Sequence, residues 1–257
     1  MPETEKAPPT FRLDGRRALV TGAATGIGRA IALGFAAAGA DLVLLSDRDD
    51  LAEVLEEAQA FGARATAVQF DFLDTSGRLA FVESLFDVND VDILVNNAGV
   101  IRRSPAETFS DGDWYEVMEV NTHAAFHFAR AAGSRMLARD GGKIINIASV
   151  LSFQGGMFVP SYAASKHAIA GLTRALANEW AGRGINVNAI APGYVETAVT
   201  ADLRGDLQRR AEITARIPAG RWATPDDIAG AAIFLASSAA AYVHGHILVV
   251  DGGWLCR

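Results

Sequence analysis

Between residues 17 and 250 the chain alternates two rhythms: short runs of aliphatic and β-branched residues, then longer alanine- and leucine-rich stretches whose apolar positions recur every three to four residues. The short runs at 17–21, 41–45, 64–69, 92–96, 143–148, 186–191 and 247–250 are mostly apolar throughout, as strands buried on both faces are. The longer stretches at 26–38, 50–61, 75–86, 110–136, 161–181 and 224–236 have helical periodicity. This alternation predicts an α/β fold, a doubly wound sheet of seven parallel strands with helices on both faces through right-handed crossovers. Two helix starts carry their own chemistry. Ser110 stands ahead of an acidic first turn, and Pro225 occupies the first helical position with Asp226 and Asp227 behind it. The stretch 195–221 falls outside the alternation, and its mixed charged and apolar residues predict a mobile helical flap over a pocket. No repeat or linker divides the chain, so one domain over 12–257 is expected behind a flexible tail over 1–11.

Composition narrows the function. Of 257 residues 50% are hydrophobic and 21% charged, enough apolar surface for a sizeable core. A formal charge of -7 excludes the basic footprint that nucleic acid requires. Cys256 is the single cysteine, so neither an intrachain disulfide nor a structural zinc site is expected, and no metal is assigned. The first ten residues have no apolar segment of the secretory kind, and apolar runs elsewhere stop short of the ~18 residues that a spanning helix needs. A cytoplasmic protein with a small-molecule partner and no membrane contact is the expectation.

The chemistry clusters at strand ends. After the first strand comes Thr21-Gly22-Ala23-Ala24-Thr25-Gly26-Ile27-Gly28, running into a helix. Such a loop brings backbone N–H groups and a helix N-terminus against a pyrophosphate, although glycines alone also make an ordinary turn. Asn96-Asn97-Ala98-Gly99 follows the fourth strand and Ser149 the fifth, while Tyr162 and Lys166 lie four apart and share a helix face. A phenol with a pKa of about 10 is a poor base near neutrality, but a nearby ammonium favours its ionised form. By itself Tyr-x-x-x-Lys is more often an exposed helical pair; its company at successive carboxyl ends of sheet strands points to a site.

Together these motifs resemble the short-chain dehydrogenase/reductase family across residues 12–257. The resemblance implies a Rossmann-like fold, with Tyr162 as proton donor and acceptor for a carbonyl or alcohol oxygen and Ser149 hydrogen-bonded to the same oxygen. It further implies that Lys166 binds the nicotinamide ribose and that Asn121 holds a water linking the lysine to solvent. The implied cofactor cleft comprises Gly22, Thr25, Gly26, Ile27, Gly28, Asp47, Asp71, Phe72, Asn97, Ala98, Gly99, Tyr162, Lys166, Pro192, Gly193, Val195 and Thr197. Asp71 is implied at the adenine, and Pro192, Gly193 and Thr197 at the carboxamide. The acid that binds the ribose hydroxyls of NAD is displaced here to Asp47 within Ser46-Asp47-Arg48, and Arg48 points toward NADP. With no basic residue in the glycine loop and Asp47 set to repel a phosphate, NAD is expected, with NADP open.

Within the family, the stretches 97–103, 151–156, 216–222 and 250–255 resemble bacterial members acting on deoxy-keto sugar acids of the 2-dehydro-3-deoxy-D-gluconate type. A substrate site of Arg102, Arg103, Ser149, Gln154 and Tyr162 follows, the guanidiniums binding the carboxylate and Gln154 reading hydroxyls. Exposed loop charges or subunit contacts are equally open roles for the arginines. A 3-oxoacyl or hydroxysteroid reductase is the alternative activity, and a dinucleotide-binding sensor or scaffold the alternative class. Resemblance also implies a homotetramer built on the long helices near Asn121 and Tyr162 and on the last strand.

Overall fold

The computed structural model describes residues 8–48, 50–139 and 141–257. Its strands are β1 (Arg17–Thr21), β2 (Asp41–Ser46), β3 (Ala65–Gln69), β4 (Ile93–Asn96), β5 (Gly142–Ile147), β6 (Ile185–Pro192) and β7 (Ile247–Val250). The helices are α1 (Gly26–Ala37), α2 (Ala52–Ala60), α3 (Arg78–Val88), α4 (Asp111–Met118), α5 (Ala125–Ala138), α6 (Pro160–Trp180), α7 (Ala201–Gly205), α8 (Leu207–Arg216) and α9 (Asp226–Ala236). All seven strands are parallel, in the order β3-β2-β1-β4-β5-β6-β7. This is the doubly wound, Rossmann-like sheet anticipated from the alternation.

Burial explains why the strands read as continuous apolar runs. In β1, Val20 joins one core with Ile31 and Phe35 of α1, Val54 of α2 and Ile228 and Leu235 of α9. Its neighbour Leu19 faces the other layer, with Val82 of α3, Phe128 and Met136 of α5 and Trp180 of α6. Each such side chain contributes roughly 1.5–3 kcal/mol when fully buried. The edge strand β3 is only partly covered, through Ala65 on one face and Val68 on the other, and is half-exposed.

Strand order reverses at β1, which sets Thr21 opposite Leu45 of β2 and Val20 opposite Val95 of β4. A crevice therefore opens at the carboxyl ends of β1 and β4, where ligands bind in open sheets of this kind.

Three boundaries depart from the sequence pattern. The single helix anticipated over 110–136 is interrupted by a π-helical turn, Glu119–Ala124, between α4 and α5. The helix anticipated from 75 begins at Arg78, because Asp74 Oδ1 accepts from Gly77 N and Ser76 Oγ, both at 2.8 Å, and holds 74–77 in a turn. Pro225 has helical dihedrals immediately before α9 and stands at its cap. Ser110 caps α4 by accepting from Asp113 N at 3.1 Å. Of the anticipated tail, residues 1–7 lie outside the described residues. Thr10 N donates to Ser238 Oγ at 2.9 Å, and the Phe11 ring lies 6.2 Å from that of Phe234. Among the described residues no helix is long and apolar enough to cross a membrane.

Candidate active site

The ends of β1 and β4 are stitched together by side chains. Thr21 Oγ1 accepts from the N–H groups of Asn97 and Ala98, each at 3.0 Å. In return Asn97 Nδ2 donates to the carbonyls of Thr21 and Gly22, also at 3.0 Å. Gly22 has φ +64°, and a Cβ on Gly28 would lie 2.0 Å from the Gly22 carbonyl oxygen. The loop can fold back on the start of α1 only because both positions are glycine. Thr25 makes no side-chain cap and the first turn of α1 carries no acid, so the helix presents its N–H groups without a competing partner. These features fit a dinucleotide pyrophosphate.

Beyond the loop runs a cavity of ≈ 300 Å³. It is lined by Gly22, Thr25, Gly26, Ile27, Asp47, Phe72, Asn97, Ala98, Gly99, Ser149, Tyr162, Lys166, Pro192, Gly193, Val195 and Thr197, all named from the sequence. Gly28 is absent from the lining because it packs behind the loop. Asp71 is absent too, its Oδ1 accepting from Leu73 N at 2.8 Å in a local turn. Sequence reasoning missed Val120, Ile147, Val199 and Thr200, and weighed Arg48 only as a charge; all five line the cavity. Val120 and Ile147 are core-type residues that happen to end at the crevice, so periodicity alone assigns them to packing.

α6 starts at Pro160, which puts Tyr162 and Lys166 on consecutive turns facing the end of β5. Lys166 Nζ donates to the Ile147 carbonyl at 2.7 Å and lies 5.4 Å from the centre of the Tyr162 ring. Burial pulls the Lys166 pKa down to about 8. Burial also raises Tyr162 above the ordinary phenol, against the opposing pull of the Ser149 hydroxyl and Arg103. Tyr162 is thus a protonated acid near neutrality, and Lys166 an ammonium close to its titration point. Ser149 Oγ accepts from Leu151 N at 3.1 Å, which fixes the side chain at the cavity wall.

Asn121 sits in the π turn, 2% exposed and outside the cavity lining. Its amide brackets the Val100 backbone, Oδ1 accepting from N at 2.8 Å and Nδ2 donating to O at 3.0 Å, and Nδ2 also reaches Ser165 Oγ at 3.1 Å. It therefore ties the loop after β4 to α6, one residue before Lys166.

The two arginines separate. Arg102 is held by Glu116, through Nε at 2.8 Å and through Nη2, and lies 3.7 Å from Asp113. That guanidinium braces the loop against α4. Arg103 donates from Nη2 to the Val199 carbonyl at 3.2 Å and its charge reaches Tyr162. Neither arginine lines the cavity, and neither does the half-buried Gln154.

Comparison with known proteins places these observations among relatives. A family model described as enoyl-(acyl carrier protein) reductase matches residues 22–255. The chain is 52% identical over 247 residues to the 2-dehydro-3-deoxy-D-gluconate 5-dehydrogenase of Bacillus subtilis (strain 168), covering 96% of this chain and 97% of that protein. A crystal structure from Agrobacterium tumefaciens with bound NADP superposes with a TM-score of 0.92 at 56% identity, covering 98% of this chain and 100% of that one. The gluconate 5-dehydrogenase of Burkholderia cenocepacia J2315, in complex with NADP and tartrate, superposes with a TM-score of 0.91 at 41% identity, covering 96% and 98%.

Proposed function

The chain belongs to the short-chain dehydrogenase/reductase family, and from that premise we propose that it interconverts the alcohol and ketone of a deoxy-keto sugar acid of the 2-dehydro-3-deoxy-D-gluconate type. The observation that carries the reaction is the half-buried Tyr162, protonated near neutrality, on the cavity wall beside Ser149 and Lys166. A bound nicotinamide supplies hydride to the carbonyl carbon or accepts it from the alcohol carbon. In reduction the Tyr162 hydroxyl gives its proton to the carbonyl oxygen, and in oxidation the phenolate takes it back. Ser149 donates to the same oxygen and stabilises the charge that develops there. Lys166 places a positive charge under the Tyr162 ring and offers N–H donors to the ribose.

Support for the sugar-acid substrate comes from the Bacillus relative's activity, from the tartrate held by the Burkholderia one, and from Arg103 at the flap. For the cofactor, the NAD favoured by Asp47 in the sequence gives way to NADP. Two structural relatives hold NADP, and Arg48 lines the cavity beside Asp47. A cytoplasmic homotetramer belongs to the same reading: Tyr115 of α4, Phe126 of α5 and Val249 of β7 are apolar and exposed, as surfaces awaiting a second copy are.

The test is a steady-state panel of sugar acids, 3-oxoacyl esters and hydroxysteroids with NADP and NAD in both directions. Sugar acids should give the highest kcat/KM, with oxidation rising toward alkaline pH as Tyr162 ionises. Tyr162→Phe should lose at least about 100-fold in kcat while binding cofactor normally. A best substrate without a carboxylate defeats the sugar-acid reading, and full activity in Tyr162→Phe defeats the mechanism.

A further inference from the structure

Beneath the flap lies an aromatic floor that the proposed reaction does not use. Tyr194, directly after Pro192-Gly193, meets Trp222 with ring centroids 5.1 Å apart and Trp254 at 4.7 Å. Trp222 Nε1 donates to Thr214 Oγ1 of α8 at 3.0 Å. Val150, next to Ser149, shares the same buried cluster with Ile213 and Ile217. The floor therefore joins the catalytic serine's neighbour to the flap and to the C-terminal segment.

Positive charge converges on it. Arg216 at the end of α8 stacks 3.8 Å over the Trp254 ring and has no carboxylate partner among the described residues. Arg103 comes from the loop after β4 and likewise has none, only the Val199 carbonyl at 3.2 Å. Arg209, paired with Glu212 at 3.4 Å, adds its charge at Tyr194. All three charges act on the Tyr194 hydroxyl, which burial raises above the ordinary phenol and which has no hydrogen-bond partner among the described residues. The charge of Arg103 reaches Tyr162 as well, so one guanidinium acts on both the floor's hydroxyl and the catalytic one. Segment 201–221 carries five arginines against three acids in a chain of net charge -7. Arg103 and Arg216 are exposed and carry no ion pair among the described residues, so both guanidiniums are free to take an anion beside the half-buried Tyr194 phenol.

We propose that the Tyr194 hydroxyl, Arg103 and Arg216 form the subsite that binds the substrate's carboxylate. The proposal rests on the sugar-acid reading and deepens it. One N–H of Arg103 is used on the flap carbonyl, which leaves donors for a carboxylate, so the same guanidinium ties flap to substrate. Arg216 is held face-on by Trp254, which orients its edge donors at low entropic cost. Arg102, committed to Glu116, takes no part.

The experiment compares kcat/KM for a keto sugar acid with that for its neutral C1 amide in wild type, Arg216→Met, Arg216→Lys, Arg103→Met and Tyr194→Phe. It adds titration of tartrate into each enzyme–NADP complex. The acid-to-amide ratio should fall about tenfold or more in Arg216→Met and Arg103→Met, and several-fold in Tyr194→Phe, as charge-assisted bonds are lost. Arg216→Lys should recover part of the ratio, and tartrate binding should weaken in parallel. An unchanged ratio with unchanged tartrate affinity in both methionine variants overturns the subsite. A wild type that prefers the amide defeats the sugar-acid reading instead, and tartrate affinity then still decides whether the cluster binds carboxylates.

Discussion

The proposed preference for NADP rests on one guanidinium at the cavity wall. Arg48 is 71% exposed at the side chain, 3.5 Å from Asp47 and 3.8 Å from Asp50. Exposed pairs of this length contribute little, about 0–1 kcal/mol, whereas a charge-assisted bond to a phosphate is considerably stronger. A 2′-phosphate therefore competes well for Arg48, while Asp47 remains available to ribose hydroxyls when the phosphate is missing. Replacing Arg48 with Ala should lower the NADP-to-NAD ratio of kcat/KM by about tenfold or more. A ratio that does not move would remove Arg48 from the cofactor site. The sequence placed Tyr162, Lys166 and Ser149 at the cavity because spacing on a helix and position after a strand are local properties. It left Arg102 and Arg103 equivalent because their partners are remote: Glu116 lies fourteen residues from Arg102 and Val199 ninety-six from Arg103.

Between α4 and α5 the sequence pattern conceals a change of helix type. Apolar spacing over 110–136 is continuous enough to read as one helix, yet a π turn at Glu119–Ala124 carries Asn121 into contact with Val100 and Ser165. What anchors this turn is a charge from another element. Arg78 of α3, 1% exposed, donates from Nη1 and Nη2 to Glu119 Oε2 at 3.0 Å each, and from Nη2 to the Phe72 carbonyl at 2.8 Å. Burial pushes the Glu119 carboxyl up, but His123 and Arg78 outweigh it and hold Glu119 below its usual range. Arg78 thus connects a cavity-lining residue, Phe72, to the first residue of the turn bearing Asn121. Arg78→Met removes three hydrogen bonds but leaves Glu119 partly exposed and still paired with His123, so thermal or urea unfolding should register a loss of roughly 2 kcal/mol. Glu119→Gln, which leaves the 1% exposed Arg78 guanidinium without its counter-charge, should lose at least as much; equal stability of Arg78→Met and wild type would show that the pair does not hold the turn. The central strands were legible because burial on both faces imprints nearly every residue, whereas this pairing spans forty-one residues and leaves no periodic trace.

At the scale of the whole molecule the site is maintained against stability. Lys166 is 5% exposed, and its one hydrogen bond, to the Ile147 carbonyl, does not offset the loss of water around an ammonium. Its folded pKa of about 8 lies below the unfolded value of about 10.4. Below pH 8 both states hold the proton and the burial penalty is present in full. Between about pH 8 and 10.4 the unfolded chain binds more protons than the folded one, so stability rises with pH until the penalty is gone. Lys143, at the opposite end of β5, is shifted to about 8 by burial and by Arg16 and has the same sign. The Lys166 shift corresponds to roughly 3 kcal/mol, less about 1 kcal/mol for the hydrogen bond. Lys166→Met should therefore abolish turnover yet stabilise the cofactor-free protein by about 2 kcal/mol at pH 7, raising Tm by roughly 4–8 °C. The gain should shrink toward zero near pH 10. A Tm that falls at pH 7, or a gain indifferent to pH, would mean that the Ile147 contact outweighs burial of the charge. Either result would also weaken the account of Lys166 as an ammonium poised near neutrality beside Tyr162.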